Sequence, residues 1–358
     1  MRVQVWPADD GGCGHLRLIW PALELARQGA DVTVSTTGPS AHWDRYWQGA
    51  TPPLEARVRG CDPPDADVVV IQRPFRAHWA ELIPHLHAHR VAVVVDLDDD
   101  FTQGVLPQTN RAWESIDPAR NPRRNWQWAL RAIRHADLLT VSTPALMARH
   151  PGAWVLRNYL PAHLLSPTPH VPHTPVRVGW AGNLESHPGD LDTLRGVPLA
   201  DLLATAQASA WQIGKPEGVA DRLGVPVRST GQLPFARYHT ALDDLDIGLV
   251  PLADTAFNAA KSWLKGLEYA ARGLPFVAAA TPEYRELLRH GIGQLARRPR
   301  EWTRHLTALL ARPDLAVERG EINRHAAQAL TLERHADQWW TAWQLAARRA
   351  QARQRKGA

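Results

Sequence analysis

Hydrophobic positions along the chain fall into short β-branched runs separated by stretches of helical spacing, the alternation produced by parallel sheets built from βαβ units. In the first half this pattern predicts strands over 2–5, 31–36, 66–72, 91–97, 137–143 and 154–159. Helices are expected between them, among them Leu18 to Gln28, closed by Gly29, and Trp126 to His135. Residues 161–175, PAHLLSPTPHVPHTP, are proline-rich and aperiodic and read as an extended connection. A second series follows, with strands near 176–180, 210–213, 225–229, 246–250, 275–279 and 293–296. From His325 to about Arg353 the chain is amphipathic and helical, and Trp339, Trp340 and Trp343 there are better suited to packing than to a ligand. The pattern predicts an α/β protein of two Rossmann-like, doubly wound domains, 1–165 and 176–324, joined by a linker over 166–175. Ligands are expected in a cleft where the carboxyl ends of the two strand sets face each other.

Composition supports this picture. With 358 residues, 44% of them hydrophobic and 22% charged, the chain suits two globular domains and excludes a disordered or collagen-like one. No apolar run approaches the roughly 20 residues of a membrane span. Met1 leads directly into the strand-like Val3-Gln4-Val5, so a cytoplasmic protein is expected. Cys13 and Cys61 form neither a disulfide framework nor a zinc pattern. A formal net charge of +5 attracts anions without choosing among nucleic acid, phosphorylated substrates and an acidic membrane surface. The basic tail from Arg348 to Lys356 reads as a solvated helix end, so nucleic acid is not an expected partner, whereas peripheral contact with an anionic membrane is compatible with it. Nothing in the sequence fixes an oligomeric state. Arginine supplies most of the positive charge, and lysine occurs only at 215, 261, 265 and 356.

Three segments carry candidate chemistry. In the first, Gly11-Gly12-Cys13-Gly14 follows a strand and opens a helix, which lets a ligand approach the backbone and leaves helix N–H groups for an anion. A dinucleotide fingerprint needs a third glycine where Arg17 stands, so NAD is not expected. Gly12, Gly14, His15 and Arg17 are candidate contacts to acceptor or sugar, the alternative being a tight strand-to-helix turn. In the second, strand 91–97 runs into Asp96-Leu97-Asp98-Asp99-Asp100. An extended chain there would put Asp96, Asp98 and Asp100 on one face, as a Mg²⁺ or Mn²⁺ site requires. The alternatives are acceptor contact, through Asp98 and Asp99 above all, and plain capping or solvated charge. His85, His87 and His89 do not share a helix face and form no expected metal set.

The third segment, 244–284, is the most informative. A strand from Asp246 to Val250 leads into a loop with Asp254, Thr255, Phe257 and Asn258, and a helix is predicted from Ala259 to Gly273. At 100° per residue Ala260, Leu264, Leu267 and Ala271 form its buried stripe, and Lys261, Lys265, Glu268 and Arg272 align opposite. This could be a solvated face carrying a Lys265–Glu268 pair. Two of only four lysines at the start of a helix oppose its dipole, however, unless an anion sits there. A nucleotide phosphate removes the conflict, and Glu268, a pure acceptor when ionised, suits sugar hydroxyls.

Taken in order, GCGHLRLIWPALELARQGADVTV, VVVDLDDDF with LPQTN, ADLLTVSTPALM, VLRNYLP, VGWAGNLESHPGDL and LDIGLVPLADTAFNAAKSWLKGLEYAARGLPFVA resemble the group 1 retaining glycosyltransferases of the GT-B fold, particularly a bacterial and phage subset. The resemblance implies a hexosyltransferase-type enzyme with a nucleotide-diphosphate sugar held by the C-terminal domain. It implies an acceptor, which is a glycan, lipid, small molecule or protein, bound by the N-terminal domain, and a final helix, within 325–358, that crosses back to that domain. It also implies retention of configuration by front-face attack, with no protein nucleophile, no cofactor and no required metal. Carried over by position, Glu268 resembles the carboxylate that bonds the donor ribose, Lys261 and Ser262 lie around the diphosphate, and Gly182-Asn183 resembles a Gly-Arg pair. Asn183 replaces that arginine, and Ala260 replaces the first glutamate of a common pair. The F-N-x-x-K-S-x-x-K-x-x-E-Y pattern therefore moves the cationic role to Lys261 and Lys265, beside Asn258 and Ser262. A GT-B sugar-nucleotide epimerase or hydrolase, and a non-catalytic nucleic-acid or anion binder, are the competing readings.

Overall fold

The computed structural model describes residues 1–38, 40–44, 57–102, 104–107, 109 and 122–357. Gln108 and Asn110 of the LPQTN segment lie outside the described residues. The apolar runs become parallel strands: β1 (Val3–Trp6), β2 (Val32–Val34), β5 (Val68–Gln72), β6 (Ala92–Leu97), β7 (Leu138–Val141) and β8 (Trp154–Val155), with β3 and β4 a separate hairpin described below. They form one sheet in the order β2-β1-β5-β6-β7-β8, with Val5 opposite Val34 and Val70 on its two sides. Every residue of β5 and β6 is buried, which is why these strands read as unbroken apolar runs without alternation. The antiparallel hairpin of β3 (Ala41–Trp43) and β4 (Val58–Cys61) has no counterpart in the predicted elements, because its short strands carry His42, Arg59 and Gly60 and little periodicity.

A second sheet contains β9 (Arg177–Ala181), β10 (Ser209–Ile213), β11 (Val227–Ser229), β12 (Ile247–Val250), β13 (Phe276–Ala279) and β14 (Gln294–Ala296). Its order, β11-β10-β9-β12-β13-β14, is parallel throughout. In each sheet the strand order reverses at one place, between β1 and β5 in the first and between β9 and β12 in the second. Beyond the carboxyl ends at such a point lies the crevice that open α/β sheets offer to ligands.

Residues 1–106, 122–157 and 335–357 belong to one compact unit and residues 158–334 to another. The change falls at 157/158, earlier than the expected 165, because Asn158 is anchored on the second unit: its amide donates to Ser262 Oγ (3.0 Å), and the Trp263 indole donates to its carbonyl (2.8 Å). The proline-rich segment is fastened there too, by a Ser166 N–H to Ala271 carbonyl bond of 2.7 Å. At the other end residues 325–334 stay with the second unit, and the helix Asp337–Gly357 packs on β6 and β7 of the first. Trp339 and Trp343 of that helix are fully buried, and the Trp339 indole donates to the Arg17 carbonyl at 2.9 Å. Among the described residues no helix is long and apolar enough to cross a membrane.

Two predicted helices are built differently. The expected helix from Ala259 to Gly273 is broken into Ala256–Ala259 and Leu264–Ala271. Thr255 caps the first piece by accepting from Asn258 N–H (3.1 Å), and the buried Trp263, tied to Asn158, takes the chain out of helical register before Leu264. Helix propensity is a weak prior against such tertiary anchors. The helix expected from Leu18 instead starts at Gly12 and passes through a π-helical turn, His15–Ile19, before Trp20–Arg27. Such turns are frequent at functional sites.

Candidate functional site

In the second unit, β9 delivers Gly182 and Asn183 to its carboxyl edge. A Cβ on Gly182 would lie 2.7 Å from the Trp180 ring, so only glycine lets the chain turn there. The Asn183 side-chain oxygen accepts from Ser186 N–H at 2.8 Å and shapes the following turn. The register of β9 beside β12 is fixed from below by Tyr269, whose hydroxyl accepts from Ala181 N–H (2.9 Å) and donates to the Leu249 carbonyl (3.3 Å).

From β12 the chain enters the loop that holds the lysines. Asp190 organises it: one carboxylate oxygen accepts from Ala253 N–H (3.0 Å) and from the Asn258 amide (2.6 Å). Asn258 is 3% exposed and also donates to the Ala253 carbonyl, so its amide nitrogen holds the loop. His187 lies 3.3 Å from the other oxygen of Asp190, and burial pulls its pKa below the ordinary histidine value. Lys261, in the break between the helices, places its ammonium 4.5 Å from the centre of the Phe257 ring. Ser262 beside it accepts from Asn158.

Lys265 stands in the first turn of Leu264–Ala271, where a cation opposes the helix dipole. Burial lowers its pKa below the usual lysine value, with Lys261 adding to the effect and Glu268 and Asp190 countering it. Glu268 follows one turn later and is 4% exposed. It therefore lies on no solvated face, contrary to the simple amphipathic pattern. Tyr238 donates its hydroxyl to Glu268 Oε2 at 2.9 Å, and His239 Nε2 lies 3.5 Å from Oε1. Burial and the neighbouring carboxylate push the Tyr238 pKa well up, so it stays a donor and orients the Glu268 carboxylate. His187, Asp190, Tyr238 and His239 escaped sequence reasoning because each lies in an ordinary polar context far along the chain from 261–268. Only the histidine following the Gly-Asn turn and the Asp190 three residues beyond it offered a local cue.

A diphosphate bound beside Lys265 favours its charged form and raises a pKa that burial holds down, so binding takes up a proton wherever free Lys265 is partly neutral. Nucleoside diphosphate affinity should then be flat at low pH and fall by up to about tenfold per pH unit above the depressed pKa of the free protein. Calorimetric titration with UDP from neutral to alkaline pH measures this, and Lys265→Arg should flatten the profile.

The first unit assembles a different set at the ends of β1, β5 and β6. Asp9 Oδ1 accepts from Gly11 N–H and Gly14 N–H, both at 3.0 Å, so an internal carboxylate occupies two of the amides expected to receive an external anion. Gly14 is obligatory, since a Cβ would come within 1.8 Å of the Asp9 carbonyl. The His15 ring bonds the Gly11 carbonyl at 2.9 Å and meets the Trp20 ring edge-on. Gly12 opens the helix.

Arg17 departs furthest from its expected role as a substrate contact. It is fully buried, donates to both oxygens of Asp96 (2.7 and 3.1 Å) and to the Leu156 carbonyl, and lies over Trp339. It ties the sheet to the terminal helix, a structural duty. The acidic run is likewise dispersed. Asp96 serves Arg17 and Thr140, Asp98 serves Arg73, and buried Asp100 lies 3.4 Å from Arg149. Asp96, Asp98 and Asp100 therefore do not meet on one face, and among the described residues they form no metal-ligand group. Asp99 adds its charge to the field around Arg73.

Arg73 is the residue the sequence hid. Its backbone is left-handed, with φ 49°, a strained conformation for a non-glycine residue. The guanidinium pays for this by binding Asp98 through two hydrogen bonds, one of 2.7 Å, and by donating to Cys13 Sγ at 2.9 Å. Burial alone would raise the Asp98 pKa, but Arg73 outweighs it and holds the carboxyl at about 2, while burial pushes the Cys13 thiol far up. Beside this knot a pocket of about 220 Å³ is lined by Trp6, Gln72, Arg73, Phe75, Arg76 and Trp79, and burial brings the neighbouring His78 down to a pKa of about 4.

No protein-family model and no curated protein sequence matches the chain. Solved structures do. Anabaena HepE, solved with UDP and glucose, is similar at 15% identity and a TM-score of 0.58, over 95% of this chain and 99% of HepE. The sucrose-phosphate synthase of Thermosynechococcus elongatus is similar at 14% identity and 0.57, over 96% and 98% of the two chains. TarM is similar at 12% identity and 0.52 over 77% of this chain, and the matched part spans only 54% of TarM. These likenesses, with the two parallel sheets and their strand orders, establish the GT-B fold: two Rossmann-like α/β domains of the kind that glycosyltransferases use.

Proposed function

We propose that this chain is a retaining, metal-independent glycosyltransferase of hexosyl type, moving a sugar from a nucleotide-diphosphate sugar to an acceptor hydroxyl. The observation that carries the reading is Lys265, a half-buried cation in the first turn of a helix, in the field of Lys261 and one turn before the buried Glu268. A cation in the first turn of a helix, with a second ammonium in the break before it, costs energy until an anion arrives, and a diphosphate relieves that cost. Glu268, held by Tyr238, accepts from the donor ribose, and Gly182 allows the sugar phosphate to approach the backbone at the end of β9. Lys261 and Lys265 then face the charge that grows on the departing diphosphate, the largest source of transition-state stabilisation in such a site. In this mechanism the bond from the anomeric carbon to the phosphate oxygen breaks, the acceptor oxygen bonds on the same face, and its proton passes to a donor phosphate oxygen. The first unit takes the acceptor, with the aromatic and arginine-lined pocket beside Arg73 as its receiving surface and Gly12, His15, Asp98 and Asp99 as further candidate contacts. HepE was solved with UDP-glucose, which makes uridine nucleotides the first donors to try.

Product analysis separates this reading from its nearest alternative. Incubation with donor and an acceptor panel should give a glycoside of the donor's anomeric configuration, whereas an epimerase or hydrolase would convert donor alone at the same rate. Turnover should also persist in excess EDTA, assayed well below the melting temperature; complete loss restored by Mn²⁺ would end the metal-independent mechanism.

A further inference from the structure

Asp246 stands at the amino end of β12, the opposite end of that strand from the loop bearing Lys261. It is 4% exposed, and two imidazoles converge on one of its oxygens: His170 Nε2 at 2.7 Å and His173 Nδ1 at 2.9 Å. The His173 N–H reaches the same oxygen at 3.0 Å, and the Arg177 N–H holds the other oxygen at 2.7 Å, which fixes the direction of the carboxylate. Among the described residues this is the one group of three metal-type ligands within mutual reach. Both histidines come from the proline-rich segment, where Pro169, Pro172 and Pro175 stiffen the chain around a His-x-x-His spacing. A small cavity of about 20 Å³, lined by His170, Pro172, Val176 and Pro313 among others, adjoins the group.

We infer that His170, His173 and Asp246 form a zinc site that clamps the proline-rich segment to the second unit. The donor set of two neutral imidazoles and one carboxylate suits Zn²⁺, with water in the fourth position. Zinc bonds of about 2.0–2.2 Å in a tetrahedron separate ligand atoms by roughly 3.3 Å, so the present 2.7 and 2.9 Å contacts need only a small outward movement of two rings. On binding, each imidazole takes the tautomer that carries its proton on the other ring nitrogen (Nδ1 of His170, Nε2 of His173), so that His170 Nε2 and His173 Nδ1 exchange the hydrogen bond to Asp246 for a lone pair on the metal. The Arg177 N–H supplies the outer support that orients such carboxylates. The site is structural: it lies at the amino end of the strand, and the chemistry proposed above does not pass through it.

The test uses the full, tag-free chain, stripped of metal and titrated with Zn²⁺ by calorimetry, by melting temperature and, with Co²⁺ as a spectroscopic substitute, by visible absorption. One equivalent should bind saturably and raise the melting temperature by a few degrees at 100 times its dissociation constant. The Co²⁺ form should absorb with the intensity of a four-coordinate centre. His170→Gln and His173→Gln, whose amides can still bond Asp246, should each weaken zinc binding by about 100-fold or more. Absence of stoichiometric binding, a weak six-coordinate Co²⁺ spectrum, or unchanged affinity in both variants would show that the cluster is only a hydrogen-bonded anchor. The Co²⁺ spectrum of the unaltered chain decides the matter even where a variant fails to fold.

Discussion

Lys265→Ala and Lys261→Ala should each lower turnover by about 10²- to 10³-fold, the loss that follows removal of one donor aimed at developing transition-state charge. Lys265 is expected to matter more, because it stands half-buried within the first turn of its helix, and that turn offers no compensating anion. Glu268→Ala should cost turnover by at least about 10²-fold while acting chiefly on donor recognition, and Tyr238→Phe should raise the donor KM with a smaller effect on kcat, since it only orients that carboxylate. Steady-state kinetics over a range of donor concentrations, with folding checked by circular dichroism, separate these outcomes. Near-normal rates in both lysine variants would remove the cationic clamp from the account.

Arg17→Met should destabilise the first unit by about 3–5 kcal/mol, because it leaves Asp96 charged, 0% exposed and without its guanidinium. The loss is one of pairing more than of attraction: a buried ion pair contributes little by itself, but an orphaned buried charge is expensive. The double variant Arg17→Met, Asp96→Asn should therefore recover part of the stability lost in the single one. Chemical denaturation followed by tryptophan fluorescence reads this directly, since Trp339 lies against Arg17. Were Arg17 an acceptor contact instead, the single variant would lose turnover at unchanged stability.

The contrast between Arg17 and Arg73 shows where sequence reasoning succeeds and where it stops. Strands were legible because buried parallel strands leave continuous β-branched runs, and the twelve strands of the two sheets lie within a few residues of their predicted places. The lysines were legible because their scarcity and spacing break the ordinary rule for a helix start. Arg17 was misassigned because a glycine-rich turn followed by arginine looks identical whether the guanidinium points to ligand or to a buried aspartate on β6 some 80 residues later. Arg73 was missed because its left-handed backbone and its hold on Asp98 arise only when β5 and β6 lie side by side. The acidic run fails as a metal site for the same reason. Each carboxylate meets a cation from a different part of the chain, and that distribution is a property of the fold. His170 and His173 lay in a segment whose proline content concealed their convergence on Asp246.

The central claim, that the second unit binds a nucleotide-diphosphate sugar through Lys261, Lys265 and Glu268, is tested most directly by melting temperature with UDP, GDP, ADP, TDP and NAD, with and without Mn²⁺. One nucleoside diphosphate at 100 times its dissociation constant should stabilise the protein by about 2.7 kcal/mol, raising the melting temperature by a few degrees with or without the metal. Lys261→Ala should abolish that shift. A shift with NAD or nucleic acid and none with any diphosphate would leave the fold standing and contradict the function proposed for it.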